Sequence, residues 1–130
     1  MIFGIGTDIV AIARMEKALA RHGERFAERI LAEQERAAYA EAARPARFLA
    51  KRFAAKEAAA KAFGTGFSAG LSLQHIVISH DARGRPLLSF HGQAEVFCRD
   101  QGVGEAHLSI SDEQDYAIAF VTLMRGENAV

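Results

Sequence analysis

From Ile2 to Val10 the chain mixes β-branched residues with glycines, IFGIGTDIV, a pattern that predicts a strand ending near Thr7-Asp8. From Ile12 to about Ala20 the apolar spacing turns helical. Gly23 interrupts it, and a short helix is expected around Phe26, Ile30 and Leu31. Residues 33–43 form another helical stretch, stopped by Pro45, a residue suited to the first turn of the next helix. That next helix is the clearest element: PARFLAKRFAAKEAAAKAF, residues 45–63, consists almost entirely of strong helix formers and ends at Gly64 as a C-cap. Residues 67–72 read as loop. A strand at 75–79, a turn at 81–86 and a strand at 87–90 follow. After them come a helix near 92–101 and strands near 106–111 and 116–123, with the last five or so residues fraying. Short turns between neighbouring strands argue for antiparallel pairing. Helices early and strands late favour an α+β fold in a single domain over residues 1–130.

Composition narrows the function classes. Half of the 130 residues are hydrophobic, enough for a core without covalent staples. The single cysteine, Cys98, excludes an internal disulfide and suits a reducing compartment; its place in a helix predicts a buried thiol. No apolar run approaches the roughly 18 residues of a membrane span. The amino terminus lacks the cationic segment of a secretion signal. A soluble cytoplasmic protein is therefore expected. With 16 basic and 16 acidic residues the net charge is zero, so binding of nucleic acid through bulk charge is not expected.

Candidate chemistry begins on the long helix. Leu49, Phe53, Ala60 and Phe63 form an apolar stripe, Lys56 falls inside it, and Glu57 flanks it with Lys61 one turn further on. The bland account is a surface Glu57–Lys61 pair worth about 0.2–0.5 kcal/mol, with Lys56 snorkelling past the core. The other account is a metal ligand beside phosphate-binding cations, and the pattern leaves both open. Asp8, between strand and helix, is either an N-cap or a second hard oxygen ligand from a separate element. Gly64-Thr65-Gly66 follows a helix and so is no P-loop; a C-cap or a close approach to a ligand both fit. Gly-x-Ser-x-Gly is absent, and His75, His80, His91 and His107 lack zinc spacing. On the strand near 106–111, His107, Ser109 and Ser111 share a polar face opposite Leu108 and Ile110. Arg14, Lys17, Arg21 and Arg25 recur at helical steps, as a solvated face or a docking stripe for an acidic partner.

GIGTDIV at 4–10 with Ala-Arg at 13–14, RFAAKEAAAKAFGTG at 52–66 and GRP at 84–86 resemble the bacterial holo-[acyl-carrier-protein] synthase family. The order and spacing of these motifs run through nearly the whole chain. The resemblance implies the 4′-phosphopantetheinyl transferase fold, an antiparallel sheet with a long central helix. It also implies a homotrimer with active sites between subunits, and coenzyme A and Mg²⁺ as co-substrate and cofactor. A serine of an apo acyl carrier protein would attack the phosphorus bearing the pantetheine arm, releasing adenosine 3′,5′-bisphosphate in support of fatty acid biosynthesis.

On the matching positions, Asp8 and Glu57 resemble the metal ligands. Lys61 with Gly64, Thr65 and Gly66 resembles part of the pyrophosphate and pantetheine site. Arg52 and His107 resemble the residues near the 3′-phosphate, and Pro86 the wall beside adenine. Arg14, Arg21 and Arg25 resemble the surface that docks the acidic carrier helix. The proton acceptor would be a metal-positioned water or Glu57 acting through water. Asp112 stands where many relatives carry a histidine and is given no role. The rival class is a non-catalytic trimeric or coenzyme-binding module on the same fold, which would need the Asp8–Glu57 pair broken; here both acids and Lys61 are present.

Overall fold

A computed structural model describes residues 1–68 and 70–127. Five strands and five helices follow in the order β1 (Ile2–Ala11), α1 (Ile12–His22), α2 (Glu24–Ile30), α3 (Arg36–Ala40), α4 (Pro45–Phe63), β2 (Ile76–His80), β3 (Pro86–Phe90), α5 (Gly92–Gln101), β4 (Val103–Asp112) and β5 (Tyr116–Arg125). One antiparallel sheet has the order β1-β5-β4, and β2 and β3 form a separate hairpin. This is the expected α+β arrangement. The expected fraying of the last residues falls, for 128–130, outside the described residues.

α4 is the axle of the molecule. Pro45 opens it, and Gly64 closes it in the left-handed conformation (φ 84°) with its N–H on the Lys61 carbonyl. Ala54, Ala55, Ala58, Ala59 and Ala62 are all buried, so the helix is covered nearly all round rather than along one stripe. It packs on the sheet face built by Val10, Ala117, Ala119, Val121 and Leu123. The glycines of β1 are what allow this closeness. A Cβ on Gly6 would overlap the carbonyl oxygen of Ala58, and one on Gly4 that of Ala62. Both obstacles are helix backbone and cannot swing aside. Gly6→Ala is accordingly expected to cost about 1–3 kcal/mol or more by overpacking, read as a lower thermal midpoint; an unchanged midpoint would mean that β1 is not pressed against α4.

Two boundaries differ from expectation. β1 does not stop near Thr7-Asp8 but runs to Ala11, because Asp8 to Ala11 stay in register with Ala119 to Tyr116 of β5. Residues 33–43 give only a 3-10 turn (Glu33–Glu35) and the five-residue α3. Among the described residues no helix is long and apolar enough to cross a membrane.

Candidate functional site

Because β1 continues past Asp8, this residue is not an N-cap; Ala11 holds that position for α1. Asp8 instead meets the carboxy-terminal half of α4. The Lys61 ammonium donates to Asp8 Oδ1 at 3.1 Å and to the Thr7 carbonyl at 2.9 Å. The surface Glu57–Lys61 pair is thus replaced by a cross-element pair between α4 and β1.

Glu57 is half-buried on the same edge of the helix. Burial first, and then repulsion from Asp8, push its carboxyl above the usual carboxylate value; Lys61 and Arg14 partly oppose this. Arg14 arrives from α1 with its guanidinium 5.3 Å from the centre of the Phe53 ring. Two carboxylates that repel each other, bordered by a lysine and an arginine, form a place where a cation relieves strain. Among the described residues no three acidic, histidine or cysteine side chains group as ligands. Asp8 and Glu57 offer a pair of hard oxygens, and such a pair would fit Mg²⁺, an ion commonly held by one or two carboxylates with waters and substrate phosphates. Gly64, Thr65 and Gly66 continue directly from Lys61: Gly66 N–H bonds the Ala60 carbonyl at 3.2 Å and Thr65 Oγ1 the Gly66 carbonyl at 2.9 Å.

Arg52 and Pro86 come together elsewhere. With Phe48, Lys51, His80 and Ile110 they line a cleft of about 210 Å³. At roughly 100° per residue, Arg52 lies about 140° from Glu57 and about 180° from Lys61 around α4. Within one chain the cleft and the acid pair therefore face opposite ways. His107 is not part of this cleft. It stands on the open face of β4, its Nε2 3.3 Å from Glu105, while Ile110 faces inward.

Lys56 overturns the snorkelling expectation. It is fully buried, and its ammonium donates to Glu35 Oε1, to the Ile30 carbonyl at 2.6 Å and to the Leu73 carbonyl at 3.0 Å. The other Glu35 oxygen takes Arg52 Nη1 at 2.9 Å and the Ile78 N–H at 3.2 Å. Sequence reasoning missed Glu35 altogether. The available signal was Lys56 itself, since a lysine inside an apolar stripe needs a buried anion.

Asp112, given no role from sequence, clamps the β4–β5 turn to the start of α4. Arg47 Nη1 donates to it at 2.8 Å and to the Glu113 carbonyl at 2.6 Å, and Arg47 holds the carboxyl below its usual value. Cys98 is half-buried, its thiol pushed up to about 11 chiefly by burial, and is no nucleophile at neutral pH.

Two surfaces complete the picture. Arg14, Lys17 and Arg21 are exposed on α1, but Gly23 ends that helix and puts Arg25 on α2, so the four do not share one helix. The outer face of the three-stranded sheet exposes Ile5, Ile9, Ile118 and Phe120, at 58, 61, 43 and 47 %, beside His107, Ser109 and Ser111.

Residues 4–121 match the model of the 4′-phosphopantetheinyl transferase superfamily. A holo-[acyl-carrier-protein] synthase of Halorhodospira halophila is 59 % identical over 126 residues, 97 % of this chain and all of that protein. The crystal structure of the synthase from Neisseria meningitidis superposes with a TM-score of 0.92 at 43 % identity, covering 96 % of this chain and all of that one. A Bacillus anthracis synthase solved in complex with CoA (3′,5′-ADP) gives 0.80 at 39 % identity over 97 % of this chain and 99 % of its own.

Proposed function

As this chain belongs to the holo-[acyl-carrier-protein] synthases of the 4′-phosphopantetheinyl transferase superfamily, we propose that it moves phosphopantetheine from coenzyme A to a serine of apo acyl carrier protein, with Asp8 and Glu57 as the Mg²⁺ ligands. One observation carries the site assignment: the two facing acids at the edge of α4, with Lys61 on Asp8. The serine oxygen attacks the phosphorus bearing the pantetheine arm, the bond to adenosine 3′,5′-bisphosphate breaks, and the serine proton leaves to water. Phosphoryl transfer of this kind needs positioning and charge neutralisation more than covalent help. That fits a site with no activated serine or cysteine of its own. When bound, Mg²⁺ supplies charge neutralisation at the pyrophosphate. Lys61 adds an exposed ammonium beside it, and the Gly64–Gly66 turn offers close backbone approach. With coenzyme A and an apo carrier, adenosine 3′,5′-bisphosphate should accumulate on chromatography; a carrier whose acceptor serine is replaced by alanine should release none. Release from that variant carrier would mean hydrolysis, not transfer.

The reading places the other half of the site on a neighbouring subunit. In one chain the Arg52–Pro86 cleft and the Asp8–Glu57 pair point away from each other. The sheet's outer face also leaves Ile5, Ile9, Tyr116, Ile118 and Phe120 uncovered. A homotrimer that covers this face, bringing Arg52, Pro86 and His107 of one subunit toward the acid pair of the next, accounts for both. Mixing Asp8→Ala and Arg52→Ala chains under subunit exchange should then restore activity that neither variant has alone. No recovery in mixed assemblies would place each site within one chain. The cytoplasm, where a lone unpaired Cys98 is stable, is the compartment this reading implies.

Arg14 and Arg21, with Arg25 from the next helix, supply the docking surface for the acidic carrier. Exposed charges are screened over about 8 Å at physiological ionic strength. The KM for carrier protein should rise with added salt while the KM for coenzyme A changes less. A flat response in carrier KM would argue for apolar docking.

A further inference from the structure

A groove of about 390 Å³ runs between α2 and α3, and none of its lining residues has a part in the site described above. At roughly 100° per residue, Glu24, Ala27, Glu28 and the flanking Leu31 fall on one side of α2, toward the groove. Arg25 and Arg29 lie about 100° and 140° round the helix from Glu24 and are turned away. Arg36, Tyr39 and Ala40 face the groove from α3. Ala27 and Leu31 belong to the core and give it an apolar floor.

Both walls are set before anything binds. Gln74 Nε2 donates to the Glu28 carbonyl at 2.7 Å and the Lys56 ammonium to the Ile30 carbonyl at 2.6 Å, which fixes the last turn of α2. Opposite, the Tyr39 ring packs 5.6 Å from the Phe48 ring at the start of α4. Burial first, and then Glu24, hold the Tyr39 phenol above its usual value. The phenol therefore stays neutral, and the negative field of Glu24 reaches across the groove to it.

Three charged side chains line the groove, Glu24, Glu28 and Arg36, and all three are exposed. Among the described residues none of them has an opposite charge within 4.0 Å. Two carboxylates against one guanidinium leave a negative charge in surplus. We propose that this groove binds a small primary amine, its ammonium between Glu24 and Glu28 and its alkyl or aryl stem on the apolar floor beside Tyr39. The volume falls within the range of small-ligand pockets, about 300–1,000 Å³. A phosphate or carboxylate would meet two like charges for one guanidinium. A neutral apolar molecule would use the floor and leave the acids unmatched. A bare dication finds only two carboxylates, and among the described residues no three ligating side chains group together.

Chemical-shift titration of the whole, isotopically labelled protein tests this with n-hexylammonium chloride and, as its uncharged counterpart, n-hexanol. The ammonium should shift the amides around the groove, in residues 24–31 and 36–45, saturably, and bind severalfold more tightly than the alcohol. The double variant Glu24→Gln/Glu28→Gln should weaken the ammonium severalfold and leave the alcohol unchanged, while Arg36→Gln should tighten the ammonium. Added salt should weaken the ammonium alone, because the charges are exposed and screened. Ala40→Trp, at an exposed position on the groove, should block both probes by filling it. No saturable shift in these residues, equal affinity for the two probes, or undiminished ammonium binding in the double variant would overturn the proposal. Shifts confined to the Asp8–Glu57 pair would overturn it as well. The readout is binding alone, so it stands or falls apart from transfer to a carrier protein.

Discussion

Glu35→Ala should lower stability by about 3–5 kcal/mol, because it strands two buried cations, Lys56 and Arg52, that pair with its carboxylate. Lys56 is fully buried, and Arg52 nearly so. With Glu35 gone, the Lys56 ammonium keeps only the Ile30 and Leu73 carbonyls, and Arg52 keeps the Ile78 carbonyl through Nη1. The Ala32 and Ile78 N–H groups also lose an acceptor. Against a typical total of about 5–15 kcal/mol, this is a large fraction. Denaturant unfolding of Glu35→Ala should show the midpoint drop with little change in slope. The triple variant Glu35→Leu/Arg52→Met/Lys56→Met should recover much of the loss, since replacing a whole set of paired charges by apolar groups is often close to neutral. A Glu35→Ala midpoint equal to that of the native protein would show that water reaches these cations and that the network is not dry.

Asp8→Ala should reduce transfer by on the order of 10²–10³-fold or more, the scale on which losing one electrostatic partner of a transition state is felt. The fold should survive. Lys61 is largely exposed and retains the Thr7 carbonyl, and an exposed ion pair contributes about 0–1 kcal/mol. The variant also removes the repulsion that helps to raise the Glu57 carboxyl. Native and variant enzymes should therefore differ most at limiting Mg²⁺. Undiminished turnover at low metal would take Asp8 out of the metal site.

The elements that the chain announces are those whose signals are local. α4 runs from Pro45 to Phe63 because a proline, an alanine-rich run and a glycine lie next to one another in sequence. What depends on distant partners was hidden. The length of β1 is set by pairing with β5, more than a hundred residues away. Lys61 looks like the partner of Glu57 at helical spacing, yet its ammonium crosses to Asp8. Lys56 signals that a buried anion exists, but nothing local points to Glu35, which lies in a short 3-10 turn. The candidate site was legible as a resemblance, residue by residue. That the acid pair and the Arg52 cleft lie on opposite sides of α4 could be computed from helix periodicity, but only the burial of each flank gives that separation meaning. The resemblance groups His107 with Arg52; within one chain the two lie apart, because alternation along β4 puts His107 on the open face and Ile110 in the cleft.

Intact-mass spectrometry of apo acyl carrier protein, incubated with this protein, coenzyme A and Mg²⁺, tests the central claim most directly. The account predicts a mass gain of one phosphopantetheine group per carrier, lost on chelation of the metal and in Asp8→Ala. No gain across several apo carriers, with folded protein and metal supplied, would contradict it.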